Sequence, residues 1–402
     1  MIPEYILCHY AEIGTKGKNR IFFENKLRSN LKESLKITFP GSYSSIRRLH
    51  DRILITLSDK GKNSHQEITG VIKNVPGIAY CLPSIRTKPH IDKINELALA
   101  WLKELSFETF RITARKSDRQ FPMSSQKINE TVGAFIVDNL SKKVKLKNPD
   151  VNCIIDLVRG SAYLSVERIE GLRGLPVGSS GKGLSMISGG IDSPVASYFA
   201  MKRGVKLDYI HFHSVPYTSR ESIEKVRENI QILNKYQIRS RLWIVPFASI
   251  QKEIMANSNE RLRVVLYRRF MFRIAETIAK KVRAKAIITG ESIGQVASQT
   301  LENMGVIENG LEMPVLRPLV GFDKQNIVDT AKQIGTYEIS IRPDEDCCSL
   351  FVPKHPATKA KLGDVLENES HLDFDVLVKE AIDRCEQEYV EEEYYNFLIL
   401  HQ

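Results

Sequence analysis

No stretch of the 402 residues reaches the roughly 18 consecutive apolar positions needed to cross a bilayer. The N-terminus, MIPEYILCHYAEIG, has no basic flank, no long apolar run and no small-residue cleavage site. Membrane partners and secretion are therefore not expected, and a cytoplasmic protein is. The cysteines are six, at positions 8, 81, 153, 347, 348 and 385. They are too few and too irregular for a disulfide framework, and no CxxC pairs exist to build a structural zinc site. The adjacent Cys347-Cys348 stands apart because it lies in a polar, acidic stretch, RPDEDCCS. A Walker loop is also absent, since GSSGKG at 178–183 lacks the Gly-Lys-Ser/Thr ending.

At this length, with 42% hydrophobic residues, the chain has the material for two or three domains. The net charge of +10 is unevenly placed. Residues 1–175 hold 29 Lys+Arg against 18 Asp+Glu, a surplus of 11, whereas 176–402 hold 29 against 30. A basic part joined to a near-neutral one suits a polyanion-binding module attached to a catalytic one.

The first 170 residues read as short strands and helices in two α+β blocks, which suit antiparallel sheets with helices on one face. Helices are expected at 20–35, 65–73, 91–105 and 128–140, and strands at 5–10, 52–57, 110–114, 151–158 and 162–166. The glycine-rich stretch 171–183 reads as a flexible linker. From Leu184 the rhythm becomes alternating strand and helix, with strands at 184–187, 207–213, 241–247, 284–289 and 314–319. That alternation predicts a doubly wound parallel sheet, which binds ligands at the carboxyl ends of its strands. An acidic helix is expected at about 374–395.

Ser188-Gly189-Gly190-Ile191-Asp192-Ser193 follows a short apolar strand and opens a helix. Its glycines can present backbone N–H groups to phosphate at a helix N-terminus, and Ser188 and Ser193 add hydroxyls. Asp192 cannot favourably face phosphate except by holding a magnesium ion, which prefers hard oxygen ligands shared with a nucleotide.

This loop resembles that of the PP-loop ATP pyrophosphatases. Six ordered blocks, ISGGIDSPVAS, HFHSVPYTS, LYRRFMFRIAE, TGESIGQVASQTLENM, RPLVGFDKQNIV and DEDCC, narrow the resemblance to the tRNA 4-thiouridine synthetase (tRNA uridine sulfurtransferase) family. GTKGKNRIFFENKL resembles that family's N-terminal ferredoxin-like domain. VPGIAYCLPS through FRITARKSDRQFPMSSQKINETVG resembles its THUMP RNA-binding domain. The resemblance implies a ferredoxin-like domain at 1–62, a THUMP domain at 63–170, the linker at 171–183 and a PP-loop catalytic domain at 184–402.

It also implies ATP-dependent replacement of O4 by sulfur at uridine 8 of tRNA, through an adenylated intermediate, and leaves open a further role in sulfur transfer for thiazole synthesis. By resemblance, Met186, Ile187, His211, Phe212, Arg268, Gly290 and Gln299 join the loop in holding ATP. Lys324 assists adenylation, and Cys347 or Cys348 carries sulfur, although the nearby carboxylates Asp344, Glu345 and Asp346 disfavour a thiolate there. Longer members bear a rhodanese-like sulfur-delivering domain; without one in these 402 residues, a cysteine desulfurase partner or inorganic sulfide is expected to supply sulfur, and a homodimer is expected. Lys16, Lys18, Arg111, Arg115, Lys116, Arg119, Lys142, Lys143, Lys145 and Lys147 are the expected RNA phosphate contacts. Another PP-loop tRNA-modifying ligase or thiolase, and a non-catalytic RNA-binding protein, are the alternatives.

Overall fold

A computed structural model describes residues 1–117, 121–343, 351 and 353–391. They form two compact units, Met1–Pro176 and Val177–Gln402. No described helix is long and apolar enough to cross a membrane.

The first unit is built on strands β1 (Tyr5–His9), β2 (Tyr43–Leu49), β3 (Arg52–Leu57), β4 (Tyr80–Thr87), β5 (Thr109–Lys116), β6 (Lys143–Val144), β7 (Val151–Val158), β8 (Ser161–Ser165) and β9 (Ile169–Glu170). They make one sheet in the order β2-β3-β1-β4-β8-β7-β5-β6, with β9 on β4. Two blocks are thus joined by β4, which the sequence reading missed. Its residues Tyr80–Ser84 pair with β1, and Ile85–Thr87 pair with β8. Pro83, which cannot donate to a ladder, sits near the point where partners change. The pairing is antiparallel except that β5 runs parallel to β6 and β7.

Strand β5 shows why these residues form such a sheet. Phe110, Ile112 and Ala114 alternate into a core shared with Ile94, Ala98, Ile128 and Val132 of the helices Ile91–Lys103 and Ser125–Leu140. The second of these helices starts three residues before its expected position because the Ser124 hydroxyl accepts from the Lys127 N–H at 3.1 Å. The helix Arg20–Thr38 buries Leu27, Leu31 and Leu35 at intervals of four.

The second unit contains β10 (Lys182–Met186), β11 (Lys206–His213), β12 (Arg239–Pro246), β13 (Ile287–Ile288), β14 (Val315–Leu316) and β15 (Glu386–Glu391), in the order β14-β13-β10-β11-β12-β15. The first five are parallel. From β10 the chain proceeds to β11 and β12 on one side, then returns to β13 and β14 on the other. The crevice between β10 and β13 is therefore a topological switch point. The helix Arg263–Lys281 covers the sheet with Leu266, Phe270, Ile274 and Ile278, all fully buried.

Two expectations are corrected. The helix at 374–395 ends at Asp383, and the chain returns as β15, antiparallel on the edge strand β12. There Val390 is buried, Asn234 donates to its carbonyl at 2.8 Å, and Glu388 accepts from Arg227 at 2.7 Å, so an acidic strand is held by an arginine and an amide of the helix Glu221–Asn234. The 171–183 stretch is not loose throughout either. The Gly178 and Ser180 N–H groups donate to the Gly204 carbonyl at 2.8 and 3.0 Å, and Lys182 already belongs to β10.

Candidate nucleotide site and RNA-facing residues

A cavity of about 520 Å³ opens at the carboxyl ends of β10, β11 and β13. Met186, Ile187, Ser188, Asp192, Ser193, His211, Phe212, Arg268, Gly290 and Gln299 all line it. Ten of the residues expected from the sequence thus converge from four separate segments.

The loop after β10 is braced by its own serines. The Ser188 N–H donates to Ser193 Oγ at 2.9 Å, and Gly190 N–H points to Ser188 Oγ at 3.4 Å. Ser197 Oγ ties back to the Ser193 carbonyl at 2.8 Å and meets Ser185 Oγ at 2.8 Å, fixing the helix Asp192–Lys202 to β10. The first N–H groups of that helix have no partner within it and are available to an anion. Gly290 lies directly against this turn: a Cβ there would stand 2.7 Å from Ser193 N and 2.8 Å from Asp192 C. Only glycine allows that approach. His211 Nδ1 is 3.0 Å from the Ile187 carbonyl, and Ile187 N–H donates to Ile210 O at 2.9 Å, so the cavity's base end is cross-tied between β10 and β11.

Among the described residues, the carboxylates lining the cavity are Asp192 and Glu291. Lys324 Nζ donates to Asp192 Oδ1 at 2.7 Å and Gln295 Nε2 to Oδ2 at 2.8 Å. Lys324 begins a helix capped by Asp323, whose carboxylate accepts from Asn326 N–H at 2.9 Å. Glu291, 3% exposed, takes Arg268 at 2.5 Å and Arg317 at 2.8 Å, with the Thr289 hydroxyl at 3.0 Å. Burial alone would raise its pKa; the two guanidinium groups outweigh this and hold the carboxyl below its ordinary range. Sequence reasoning did not single out Glu291, Arg317 or Gln295. Glu291 and Arg317 follow β13 and β14, and the carboxyl-end rule for parallel sheets was the signal that could have found them.

Gly189 and Gly190 form the loop's backbone without lining the cavity. Cys347 and Cys348 lie outside the described residues, as does Arg119.

The other expected RNA contacts are unevenly free. Lys116 donates to the carbonyls of Phe121 and Met123 at 2.6 and 3.2 Å, and Arg111 to the Leu146 carbonyl at 2.9 Å. Arg115 lies 5.0 Å over the Tyr80 ring, Lys142 pairs with Glu108 at 3.0 Å, and Lys16 with Glu12 at 3.5 Å. Lys18, Lys143, Lys145 and Lys147 are exposed.

Comparison with known proteins agrees with this architecture. Residues 5–81 match the ThiI ferredoxin-like domain, 88–167 the THUMP domain and 178–374 the thiamine biosynthesis protein (ThiI) family. A probable tRNA sulfurtransferase of Moorella thermoacetica is 42% identical over 382 residues, 95% of this chain and 96% of the relative. One from Caldanaerobacter subterraneus subsp. tengcongensis is 41% identical over 97% of this chain and all of its own. A solved 4-thiouridine synthetase in complex with RNA and ATP superposes with a TM-score of 0.86 at 36% identity, covering 97% of this chain and 100% of that one. With relatives this similar along nearly their whole length, the chain belongs to the ThiI family of tRNA sulfurtransferases.

Proposed function

We propose that this protein is an ATP-dependent tRNA sulfurtransferase that converts uridine 8 of tRNA to 4-thiouridine. The observation that carries the reading is the Asp192–Lys324 contact at the phosphate loop of the β10/β13 crevice. It sits in a chain that matches tRNA sulfurtransferases almost end to end.

The residues fit an adenine nucleotide. Met186, Phe212 and Met271 supply apolar wall for a base, while the helix N-terminus, Arg268 and Lys324 supply positive charge for phosphates. The O4 of uridine is a poor leaving group. Its attack on the α-phosphorus, with pyrophosphate departing, turns it into a phosphate ester; sulfur then attacks C4 and AMP leaves carrying the former O4. Lys324 is placed to offset charge developing on the α-phosphate. Of the two cavity carboxylates among the described residues, Glu291 is sequestered by guanidinium groups, which leaves Asp192 to hold magnesium, which would screen phosphate charge. Sulfur arrives either as the outer sulfur of a desulfurase persulfide passed to the thiol of Cys347 or Cys348, or as inorganic sulfide that attacks C4 directly, in a cytoplasmic homodimer.

Mass spectrometry of tRNA nucleosides after incubation with ATP, magnesium and sulfide tests the reading. 4-Thiouridine is expected, with AMP and pyrophosphate forming only when tRNA is present. Asp192→Ala is expected to abolish the product while sparing tRNA binding. Nucleotide turnover independent of tRNA, without thiolation, would refute the assignment.

A further inference from the structure

Asn303, on the helix Leu301–Glu308, is fully buried and uses its whole side-chain amide. Its Nδ2 donates to the Ala297 carbonyl at 2.7 Å and to the Ala357 carbonyl at 2.8 Å, while Oδ1 accepts from the Ala360 N–H at 2.9 Å. Two donors face two acceptors and the oxygen faces a donor, so one orientation of the amide satisfies all three bonds and the flipped one satisfies none. Thr300 caps the same helix by accepting from the Asn303 N–H at 3.2 Å, and its hydroxyl donates to the Thr358 carbonyl at 2.7 Å.

The segments tied here are two walls of one cavity. Ala297 opens the turn Ala297–Gln299, and Gln295 through Gln299 line the cavity at the β10/β13 crevice, as does Pro356. Pro356 comes eight residues after Cys348 in sequence. Resting on the reading above, in which sulfur passes through Cys347 or Cys348, we propose that Asn303 is a positioning residue that couples the nucleotide to sulfur transfer. It fixes the chain that follows the cysteine pair against a wall of the nucleotide cavity, and Thr300 adds to the same clasp.

The coupling follows from the order of the two steps. Adenylation needs the nucleotide beside uridine O4, whereas departure of AMP to give product needs sulfur at C4 before water arrives there. A buried amide bonded to both segments sets their separation without touching the reacting atoms. Removing it leaves two carbonyls and an N–H without these partners, and the segments are then free to part. Adenylation can still occur, but water takes the place of sulfur, which returns uridine and releases AMP. An asparagine that served the core alone would instead lower the amount of folded enzyme and reduce every product in proportion.

The test uses the full chain with tRNA, ATP and magnesium, and reads pyrophosphate released per 4-thiouridine formed. Sulfur is supplied in one arm by a cysteine desulfurase with cysteine, and in the other by sodium sulfide. Asn303→Ala is expected to raise the ratio roughly tenfold or more in the desulfurase arm, since small displacements of a reacting group cost rate steeply. In the sulfide arm, where attack at C4 bypasses the cysteines, the ratio should stay at the wild-type value. Should Asn303→Ala fail to fold, Thr300→Val takes its place, and the same rise, reversed in Thr300→Ser, supports the coupling. A wild-type ratio in every variant that folds, or a ratio that rises equally in both arms, would overturn this inference alone. A wild type that forms 4-thiouridine with sulfide but not with the desulfurase would overturn the cysteine route and this inference with it. No 4-thiouridine in either arm would overturn the functional reading as well.

Discussion

Each unit holds a buried carboxylate between two nitrogen-bearing side chains, Asp156 in the first and Glu291 in the second, and the two arrangements serve different ends. In the first, Asp156 of β7, 1% exposed, meets His9 of β1 at 2.9 Å and Arg52 of β3 at 2.8 Å, and Arg52 continues to the Ser117 hydroxyl at 2.7 Å. His9 is stacked on Tyr80 of β4 at 4.4 Å. This cluster joins strands from both halves of the continuous sheet, beside the apolar patch of Leu7, Leu54, Leu82, Ile154 and Val158. In the second unit Glu291 lies just beyond β13 and lines a cavity together with Arg268, one of the two guanidinium groups it holds. The chemistry is alike, but one clamp holds strands together and the other aims cations. Location in the fold, not residue type, separates them.

That contrast is open to experiment. Removing either carboxylate strands buried guanidinium charge, so Asp156→Ala and Glu291→Ala should each cost about 3–5 kcal/mol of unfolding free energy. Calorimetry should show both losses, while only Glu291→Ala should also raise the KM for ATP. If Asp156→Ala raised that KM equally, the division of roles would collapse. Lys324→Met, at a half-exposed position, should leave stability unchanged within about 0.5 kcal/mol and lower kcat about 10²–10³-fold, as loss of one transition-state charge contact does. Single-turnover thiolation assays would read it. Gly290→Ala should cost about 1–3 kcal/mol, because its methyl group has to displace the backbone of Asp192 and Ser193. Weaker ATP binding should accompany that loss; a variant with normal affinity would show that the close approach is not needed.

The smallest effect concerns pH. Burial, with His211 and Arg220 adding to it, pushes His213 down from its ordinary value of 6.5 to about 4, and burial likewise lowers His9. A histidine whose folded pKa is depressed binds fewer protons than the unfolded chain between those two values. Stability should therefore hold above pH 6.5 and decline as pH falls toward 4. His213→Gln should flatten that decline in melting temperature, and an equally steep curve would show that other groups carry it.

Much of the second unit's fold was legible before the structure, because its signals are local. A strand, a Gly-Gly turn and a helix start are contiguous in sequence. Strand β4 was missed because YCLPSIRT contains a proline and its two pairing partners lie far away in sequence. Strand β15 was taken as helix because EQEYVE is charged, and edge pairing on β12 outweighs its weak local preference.

The sequence by itself determined the class of fold, the glycine turn at 188–193 between strand and helix, and the excess of positive charge in the first 175 residues, since each is written in adjacent residues or in composition. Tertiary structure decided which charges are available. Lys116 and Arg111 looked like RNA contacts yet donate to backbone carbonyls, while Arg28, Arg47 and Arg159, distant in sequence, share a groove. Glu291 gains its place in the cavity at the β10/β13 crevice from Arg268 and Arg317, supplied by a helix and a neighbouring strand end. A charge acts through what lies within a few ångströms of it, and only the folded chain determines those distances.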